Sequence, residues 1–477
     1  MKKFVFASVM AFASLSLVSA HTLRAQDQNP GTIQIKDPAE FNAYQMATSQ
    51  SDPKAKAAAE EDFLTKYPNS VAKKTVLNDL LQTYQQLNDQ EGILKTATRQ
   101  LQIDPNDLGA IYFSVAIKKG QCAKTSDQAT CDDAAALAQK GLGVSKPAGM
   151  SDDDWKKQSY AAFTTFHSAI ALDDMVSKKD PAAAADEYKK ELMMYEPSDT
   201  TRGQGLVDTL QLAQAYVKLQ LVDAQAARDA DAKAKAAPTD TSLATAAKAA
   251  QDKANQDYIM ACWLFARVWG FAPANYKGQI EPQLEYYYKK YHGNLDGLND
   301  VKTQAAATVF PPASFTITPA PTQQEVIHQL LANTPDLKSL ALADKETVLA
   351  VGSKDDADKL WALLQGQETP VPGTVIDANA NQVKVAVTQD AKDAKTADFI
   401  VNMKDPIPDK DIPAVGSELK LLKDGGPELD GTYDTYTQVP PSATAAASAQ
   451  IVLKDGILQT KKAPVHHPPV HHARPQQ

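Results

Sequence analysis

The sequence feature that most constrains the fold is a series of helix start and stop signals between residue 37 and about residue 306. Helix starts are marked by an aspartate, which can cap the backbone, followed by a proline suited to the first helical turn: Asp37–Pro38, Asp52–Pro53 and Asp180–Pro181. Helix ends are marked by prolines that cannot continue a helix: Pro68, Pro105, Pro197 and Pro273. Apolar side chains recur between these signals with the helical period, and no strand pattern precedes residue 310. One short amphipathic hairpin cannot bury its apolar face alone, so we predict helices stacked in series.

The spacing inside these helices resembles the tetratricopeptide repeat (TPR) family. The first unit places apolar and aromatic side chains at the positions that the family uses, and its closing proline is Pro105: Leu77, Leu80, Leu81 and Tyr84. A second unit shares the same pattern across two helices: Leu206, Leu212, Ala213, Tyr216, Ala261, Phe265 and Pro273. Leu81 is larger than the usual small residue of the family. An irregular array of helical hairpins without a true repeat is the alternative interpretation.

The TPR resemblance implies a helical solenoid over residues 37–309 that mediates protein–protein interactions. In that family the first helix of each unit lines the peptide groove. Carried onto this chain, the groove residues would be Asn78, Gln82, Gln85, Gln214 and Lys218. Their polar side chains suit the backbone of an extended peptide. Plain solvent exposure is the alternative for each of them.

An insertion of 36 residues interrupts the second unit at residues 222–257. Alanine, lysine and glutamine, all good helix formers, dominate this segment, and only the stretch from Pro238 to Ser242 breaks the run. We therefore predict two helices that extend past the solenoid, turn at Pro238 and meet along an alanine seam. The segment is either a solvated hairpin or an arm that contacts a partner.

Two cysteines, Cys122 and Cys131, are close together in the sequence, in what reads as a polar loop between two helices. We predict a disulfide between them, because an exported protein meets an oxidising compartment. A metal site is the alternative, but no histidine lies near and no Cys-x-x-Cys motif occurs. Cys262 lies in an apolar stretch and is predicted to be a buried thiol.

The N-terminus predicts export. Residues 1–20 combine a short cationic start, an apolar stretch and the small-residue sequence Val18-Ser19-Ala20, which is typical of a signal peptide cleaved after Ala20. A membrane anchor is the alternative. Residues 21–36 are predicted to be a flexible lead-in, and no apolar run long enough to span a membrane follows residue 20. The protein is therefore expected to be periplasmic or secreted.

The periodicity of the sequence changes in the C-terminal third of the chain. Residues 310–370 are predicted to be a linker and helical connector, with helix starts at a Thr322–Glu325 capping box and at Ser353. Residues 371–460 show period-two patterns in six short runs, which predict a small antiparallel barrel or sandwich that weakly resembles an OB-fold. Asn379–Asn381 and Lys454–Gly456 are predicted turns. The tail, residues 461–477, is rich in histidine and proline and predicted to be disordered. Its four histidines are expected to bind metal only adventitiously, and a dedicated metal site is the alternative.

Net charge and sequence motifs narrow the range of possible functions. The chain has a formal net charge of −9, and residues 371–460 carry eight lysines and no arginine against thirteen acids. Both observations argue against nucleic-acid binding, which needs clustered cationic charge. No catalytic, phosphate-binding, dinucleotide or metal motif occurs, so we expect no enzyme activity and no cofactor. Three hypotheses remain, in decreasing order: a mainly α, TPR-like scaffold with a small β domain, a ligand- or glycan-binding β domain mounted on the solenoid, and an enzyme.

Overall fold

A computed structural model describes residues 34–422, 428–439 and 447–459 of the chain. The predicted signal peptide at residues 1–20, most of the lead-in at 21–36 and the tail at 461–477 lie outside the described residues. The chain divides into two compact units, one ending at Ala320 and the other beginning at Pro321. The first unit is helical, and the second combines helices with a sheet.

The described part of the first unit contains twelve α-helices: α1 (Pro38–Thr48), α2 (Pro53–Lys66), α3 (Lys73–Gln86), α4 (Gln90–Ile103), α5 (Leu108–Thr125), α6 (Gln128–Leu142), α7 (Asp152–Val176), α8 (Pro181–Met194), α9 (Gly203–Ala236), α10 (Thr241–Phe271), α11 (Ala274–His292) and α12 (Leu298–Ala307). The predicted start signals act as expected, since Asp37, Asp52 and Asp180 each accept a hydrogen bond from a backbone N–H of the first turn. Helices α2, α4, α8 and α10 end shortly before the predicted stop prolines. These sequence signals therefore locate three helix starts and four helix ends of this unit.

The helices of the first unit stack in chain order. Each helix from α1 to α10 packs against the next, and α12 returns to pack against α10. The apolar core accordingly consists of successive clusters, with Phe63 in the first, Phe166 in the middle and Trp263 in the last. This arrangement agrees with the predicted serial stacking and is consistent with a helical repeat.

Two glycines allow close helix contacts in this stack. A Cβ atom at Gly92 would lie 2.5 Å from the ring of Tyr84, and one at Gly141 would lie 2.3 Å from the ring of Phe166. Both distances are far below van der Waals contact. The missing side chain is therefore what lets each aromatic ring pack against the neighbouring helix backbone.

The predicted arm is formed by the two longest helices of the described chain, α9 and α10. They are joined by a short turn over residues 237–240 and pack along each other, as the insertion pattern predicted. Between Leu221 and Ala250 the side chains are mostly exposed, and only Ala227 is buried in this stretch. Alanine side chains bury little area, so the seam of this arm has few apolar contacts.

The cysteine prediction is confirmed in its pairing and wrong in its local structure. Cys122 and Cys131 are joined by a disulfide. The predicted polar loop is reduced to Ser126 and Asp127, because α5 continues to Thr125 and α6 begins at Gln128. Ser126 adopts a left-handed conformation and Asp127 caps α6, so two residues suffice for the turn. Cys262 is a buried free thiol, as predicted, and burial raises its pKa to about 12.

The segment that follows α12 completes the first unit. Trp263 donates a hydrogen bond to the carbonyl of Val309 at 3.2 Å and packs edge-to-face on Phe315 at 4.6 Å between ring centroids. Arg267 is fully buried and donates to the carbonyl oxygens of Ala305 and Thr308 at 2.9 and 3.0 Å. The first residues of the predicted 310–370 linker are therefore packed into the core of the first unit.

The second unit contains four described α-helices and a seven-stranded sheet: α13 (Gln323–Asn333), α14 (Leu342–Val351), α15 (Lys354–Leu364), α16 (Gln389–Ala394), β1 (Glu368–Pro370), β2 (Gly373–Asn379), β3 (Gln382–Ala386), β4 (Phe399–Met403), β5 (Glu418–Leu419), β6 (Leu429–Val439) and β7 (Ser448–Leu458). The capping box between Thr322 and Glu325 is present, and Ser353 caps α15. Helices α13 to α15 share one apolar core with the sheet. The predicted helical connector is therefore a layer of this unit.

The sheet corrects three details of the prediction. Its strand order is β1-β6-β7-β4-β3-β2-β5, so it has seven described strands instead of six. It is mixed, because β4 and β7 pair in parallel while the other pairs are antiparallel. The turn predicted at Lys454–Gly456 is wrong: β7 continues to Leu458 and accommodates Asp455, at φ 53°, in a bulge. Residues that permit positive φ suit a bulge as well as a turn. The turn predicted at Asn379–Asn381 is confirmed.

Candidate functional site

The predicted groove residues of α3 lie opposite its buried face. Leu77, Leu80 and Leu81 are buried, whereas Gln82 is exposed and Asn78 and Gln85 are half-buried. Asn78 is engaged inside the unit, because its side-chain oxygen accepts a hydrogen bond from the buried Gln100 of α4. Gln82 is therefore the most accessible of the three for an external ligand.

The other two predicted groove residues belong to α9. Gln214 and Lys218 are one helical turn apart and both half-buried. Burial lowers the pKa of Lys218. Helices α4 to α8 lie between α3 and α9 in the stack, so the five residues form two separate polar patches. Whether these patches bind a peptide stays a prediction.

The arm presents apolar side chains where α9 leaves the packed part of the unit. Leu221 and Val222 are 58% and 61% exposed. Farther along, a surface groove of about 380 Å³ runs between the two arm helices and is lined by Ala226, Asp229, Ala230, Lys233, Leu243 and Ala246. These features make the arm a candidate contact surface.

Two buried carboxyl groups contact each other between α8 and α9, which is an unusual arrangement because both are acids. Glu191 and Asp208 are at most 1% exposed and their carboxyl groups are in hydrogen-bonding contact. Tyr195 donates its hydroxyl hydrogen to Glu191 at 2.9 Å, and Ser168 donates to Asp208 at 2.9 Å. Lys119 of α5 lies 3.6 Å from Asp208. Each carboxyl keeps one buried oxygen that no donor of the described residues reaches.

A second pair of this kind lies between α2 and α3. Glu60 is fully buried and contacts the carboxyl group of Asp79, and neither oxygen of Glu60 has a hydrogen-bond donor among the described residues. Lys56 lies 2.9 Å from Asp79 and 3.8 Å from Glu60. Burial, reinforced by the charge of Asp79, raises the pKa of Glu60 to about 8.

The third pair lies between α9 and α10, at the base of the arm. Asp257 is 7% exposed and contacts the carboxyl group of Asp223, which is ion-paired with Lys253. Burial, reinforced by Asp223, raises the pKa of Asp257 to about 7. Burial and the neighbouring Asp208 likewise raise the pKa of Glu191 well above its usual range.

These three pairs were missed from the sequence, although a signal exists. Asp208 shares a helix face with the buried Leu212 and Ala215, and Glu191 shares one with the buried Ala184 and Tyr188. An acid on an apolar helix face is a buried acid, and buried acids are paired or protonated. The sequence cannot tell which residue completes each pair.

In the second unit, a half-buried aromatic pair lies at the rim of the core. Trp361 of α15 and Tyr436 of β6 have ring centroids 4.7 Å apart, and Trp361 also contacts the buried Tyr433 at 6.0 Å. The ion pair between Lys354 and Asp358 lies beside this rim. A surface groove of about 420 Å³ in the same unit is lined by Thr322, Gln324, Glu325, His328, Gln329, Ser353 and Asp356.

Searches for metal-binding side chains, membrane-spanning helices and related protein families do not add a functional assignment. Within residues 34–422, 428–439 and 447–459, no three His, Cys, Asp or Glu side chains are grouped so that they could hold a metal ion. Over the same residues, none of the helices combines the length and apolar character needed to cross a membrane. No protein-family model matches the chain, and no curated protein sequence matches it.

Proposed function

We propose that this chain is an exported, non-enzymatic scaffold of the bacterial cell envelope, built on a TPR-like helical repeat, that binds a protein or an extended peptide. The observation that carries this proposal is the division of α3 into two faces. Its leucines are buried against neighbouring helices, while Gln82 on the opposite face is exposed. A polar helix face that is open to solvent suits the backbone of an extended ligand.

Two further observations support the proposal. The disulfide between Cys122 and Cys131 fits an oxidising compartment outside the cytoplasm. The arm formed by α9 and α10 adds surface on which the apolar side chains of Leu221 and Val222 are available to a partner.

The test is site-specific photo-crosslinking in cells that produce the full chain. A photoreactive amino acid replaces Gln82 in one variant and Lys95, an exposed residue of α4, in the control variant. We expect a discrete adduct from position 82 that is absent from position 95. The captured protein, once identified and purified, should bind the full chain and lose affinity on Gln82→Glu. Equal adduct patterns at the two positions, or unchanged affinity of the Gln82→Glu variant, would contradict the proposal.

A second candidate function is favoured by the aromatic rim of the second unit. Half-buried Trp361 and Tyr436 offer ring faces against which a sugar ring could stack, which supports a glycan-binding role for this unit. Affinity electrophoresis of the full chain in envelope polysaccharides tests it. We expect retardation that Trp361→Leu abolishes and that Trp155→Leu, a change of a half-buried tryptophan in the first unit, leaves intact. Equal mobility of all three proteins in every polysaccharide would refute this function.

A further inference from the structure

Three sites of the first unit share one construction, and each contains at least one buried carboxyl group. Each consists of two carboxyl groups from adjacent helices in contact with one another and one lysine that is ion-paired with at least one of them. The three carboxyl pairs are Glu60–Asp79, Glu191–Asp208 and Asp223–Asp257. They join α2 to α3, α8 to α9 and α9 to α10, so they occur at both ends of the helical stack.

When only the lysine that is ion-paired with the carboxyl groups is counted, the charges of each site balance only if a proton is present. Two ionised carboxylates and one ammonium group leave one negative charge, and isolated buried charge is strongly disfavoured. Two carboxylates in contact also repel each other, and neither can donate a hydrogen bond. The buried oxygens of Glu60, Glu191 and Asp257 that lack a donor among the described residues are the atoms that such a proton would satisfy. One added proton neutralises the site and supplies the missing donor.

We propose that each of these three carboxyl pairs is a binding site for one proton, and that together they make the stacking of helices in the first unit dependent on pH. Loss of a proton places two like charges at a buried helix interface. The interface is then weakened, while the remainder of the unit is unchanged. Proton binding to the pairs thereby regulates how firmly the helices, including the base of the arm, are held together.

The groups that face each pair come from its own helices and from the elements packed around it. Lys56 and Asp79 face Glu60. Lys119, Tyr188 and Tyr195 face Glu191 together with Asp208. Lys253, Lys189 and Tyr216 face Asp257 together with Asp223. Lys189 is itself ion-paired with Asp186 at 3.7 Å. The lysines favour the ionised carboxyls, but burial outweighs them, so the pKa values of Glu60, Glu191 and Asp257 are raised.

Because these pKa values are raised by folding, the stability of the first unit should decrease as the pH rises. A carboxyl whose pKa is higher in the folded than in the unfolded state binds more protons when folded, so its contribution to stability is complete below its unfolded pKa. That contribution is lost as the pH rises through the folded values of about 8 for Glu60 and about 7 for Asp257. For each pair, the unfolding equilibrium constant should rise about tenfold per pH unit between the unfolded and the folded pKa of its buried carboxyl group.

Counting the protons released on unfolding tests the proposal directly. Calorimetric unfolding of the full chain near pH 6.5, in two buffers of different ionisation enthalpy, gives that number. The test variant combines Glu60→Gln, Glu191→Gln and Asp257→Asn, which keep shape and neutralise each pair. The control variant removes three exposed acids from the same helices: Asp62→Asn, Asp229→Asn and Asp252→Asn.

We expect the natural protein and the control variant to release about three more protons on unfolding than the test variant. The unfolding midpoint of the test variant should also depend less on pH between about 5 and 8. Equal proton release by the natural protein and the test variant would overturn the proposal, as would an equal change in the control variant. If the test variant does not fold, the three single substitutions answer the same question, each with an expected loss of about one proton.

Discussion

The serial packing of the first unit can be tested by adding one methyl group at two different glycines. Gly141 of α6 is buried, and a Cβ atom there would lie 2.3 and 2.6 Å from two ring carbons of Phe166 and 2.9 Å from a methyl carbon of Ile111. At Gly120 of α5, an added Cβ atom would meet no neighbouring side chain or helix within 4 Å. The same substitution, glycine to alanine in a helix, therefore meets a packed interface at one position and open space at the other.

The two substitutions are expected to change the free energy of unfolding in opposite directions. Alanine is favoured over glycine in a helix interior by about 0.8–1 kcal/mol, so Gly120→Ala should raise the free energy of unfolding by about that amount. Gly141→Ala has less to gain because it lies in the last turn of α6, and it forces Phe166 to move although that ring is fully buried. Overpacking of this kind typically costs about 1–3 kcal/mol, and the short contacts favour the upper half of that range.

The assay is thermal unfolding of the full chain followed by far-ultraviolet circular dichroism, which reports mainly on the helices of the first unit. At about 2 °C per kcal/mol for a unit of this size, we expect a midpoint about 4–6 °C lower for Gly141→Ala and about 2 °C higher for Gly120→Ala. If both variants shift the midpoint in the same direction, the contact between α6 and α7 is not as described, and the stacking argument fails there.

Four further predictions concern single features. Replacing Cys122 and Cys131 by serine should lower the free energy of unfolding by about 2.5–3 kcal/mol in urea titrations, and an unchanged midpoint would mean that the disulfide does not form in the folded protein. Thr322→Ala should cost about 1 kcal/mol through loss of the α13 capping box, whereas Thr322→Ser should be nearly neutral; equal losses would exclude capping as the cause. Arg267→Lys should destabilise the first unit by about 3 kcal/mol, because a lysine cannot reach all the carbonyl groups that the guanidinium satisfies, and a neutral result in urea unfolding would contradict this. Burial raises the pKa of Glu346 to about 7, so the second unit should lose stability as pH rises toward 7, and Glu346→Gln should flatten that dependence in tryptophan fluorescence of unfolding.

Much of the first unit could be predicted because its signals are local. A capping aspartate and a proline act on the backbone within a few residues, so Asp52 and Pro53 define a helix start wherever the helix is later packed. The alanine-rich insertion likewise predicts its own two helices and the turn at residues 237–240. The positions of the predicted groove residues on one helix face could be inferred from the helical period in the same way. The exposure of Gln82 does not reveal which ligand, if any, binds there.

The second unit was predicted less completely because its pattern depends on distant pairing. Period two locates strands, yet it does not reveal that β4 and β7 lie side by side in parallel. Nor does it distinguish a turn from a bulge at Asp455, where both need the same backbone conformation.

The sequence by itself determined several helix starts and ends, the approximate positions of six strands, which cysteines pair and where the two arm helices lie, because these depend on neighbours in the chain or on one redox rule. Only the tertiary structure decided which carboxyl groups meet, that Lys119 reaches Asp208, and that helices α13 to α15 join the core of the sheet. The physical reason is that burial and charge pairing depend on which distant elements exclude water from a side chain, and that information is absent from any local pattern.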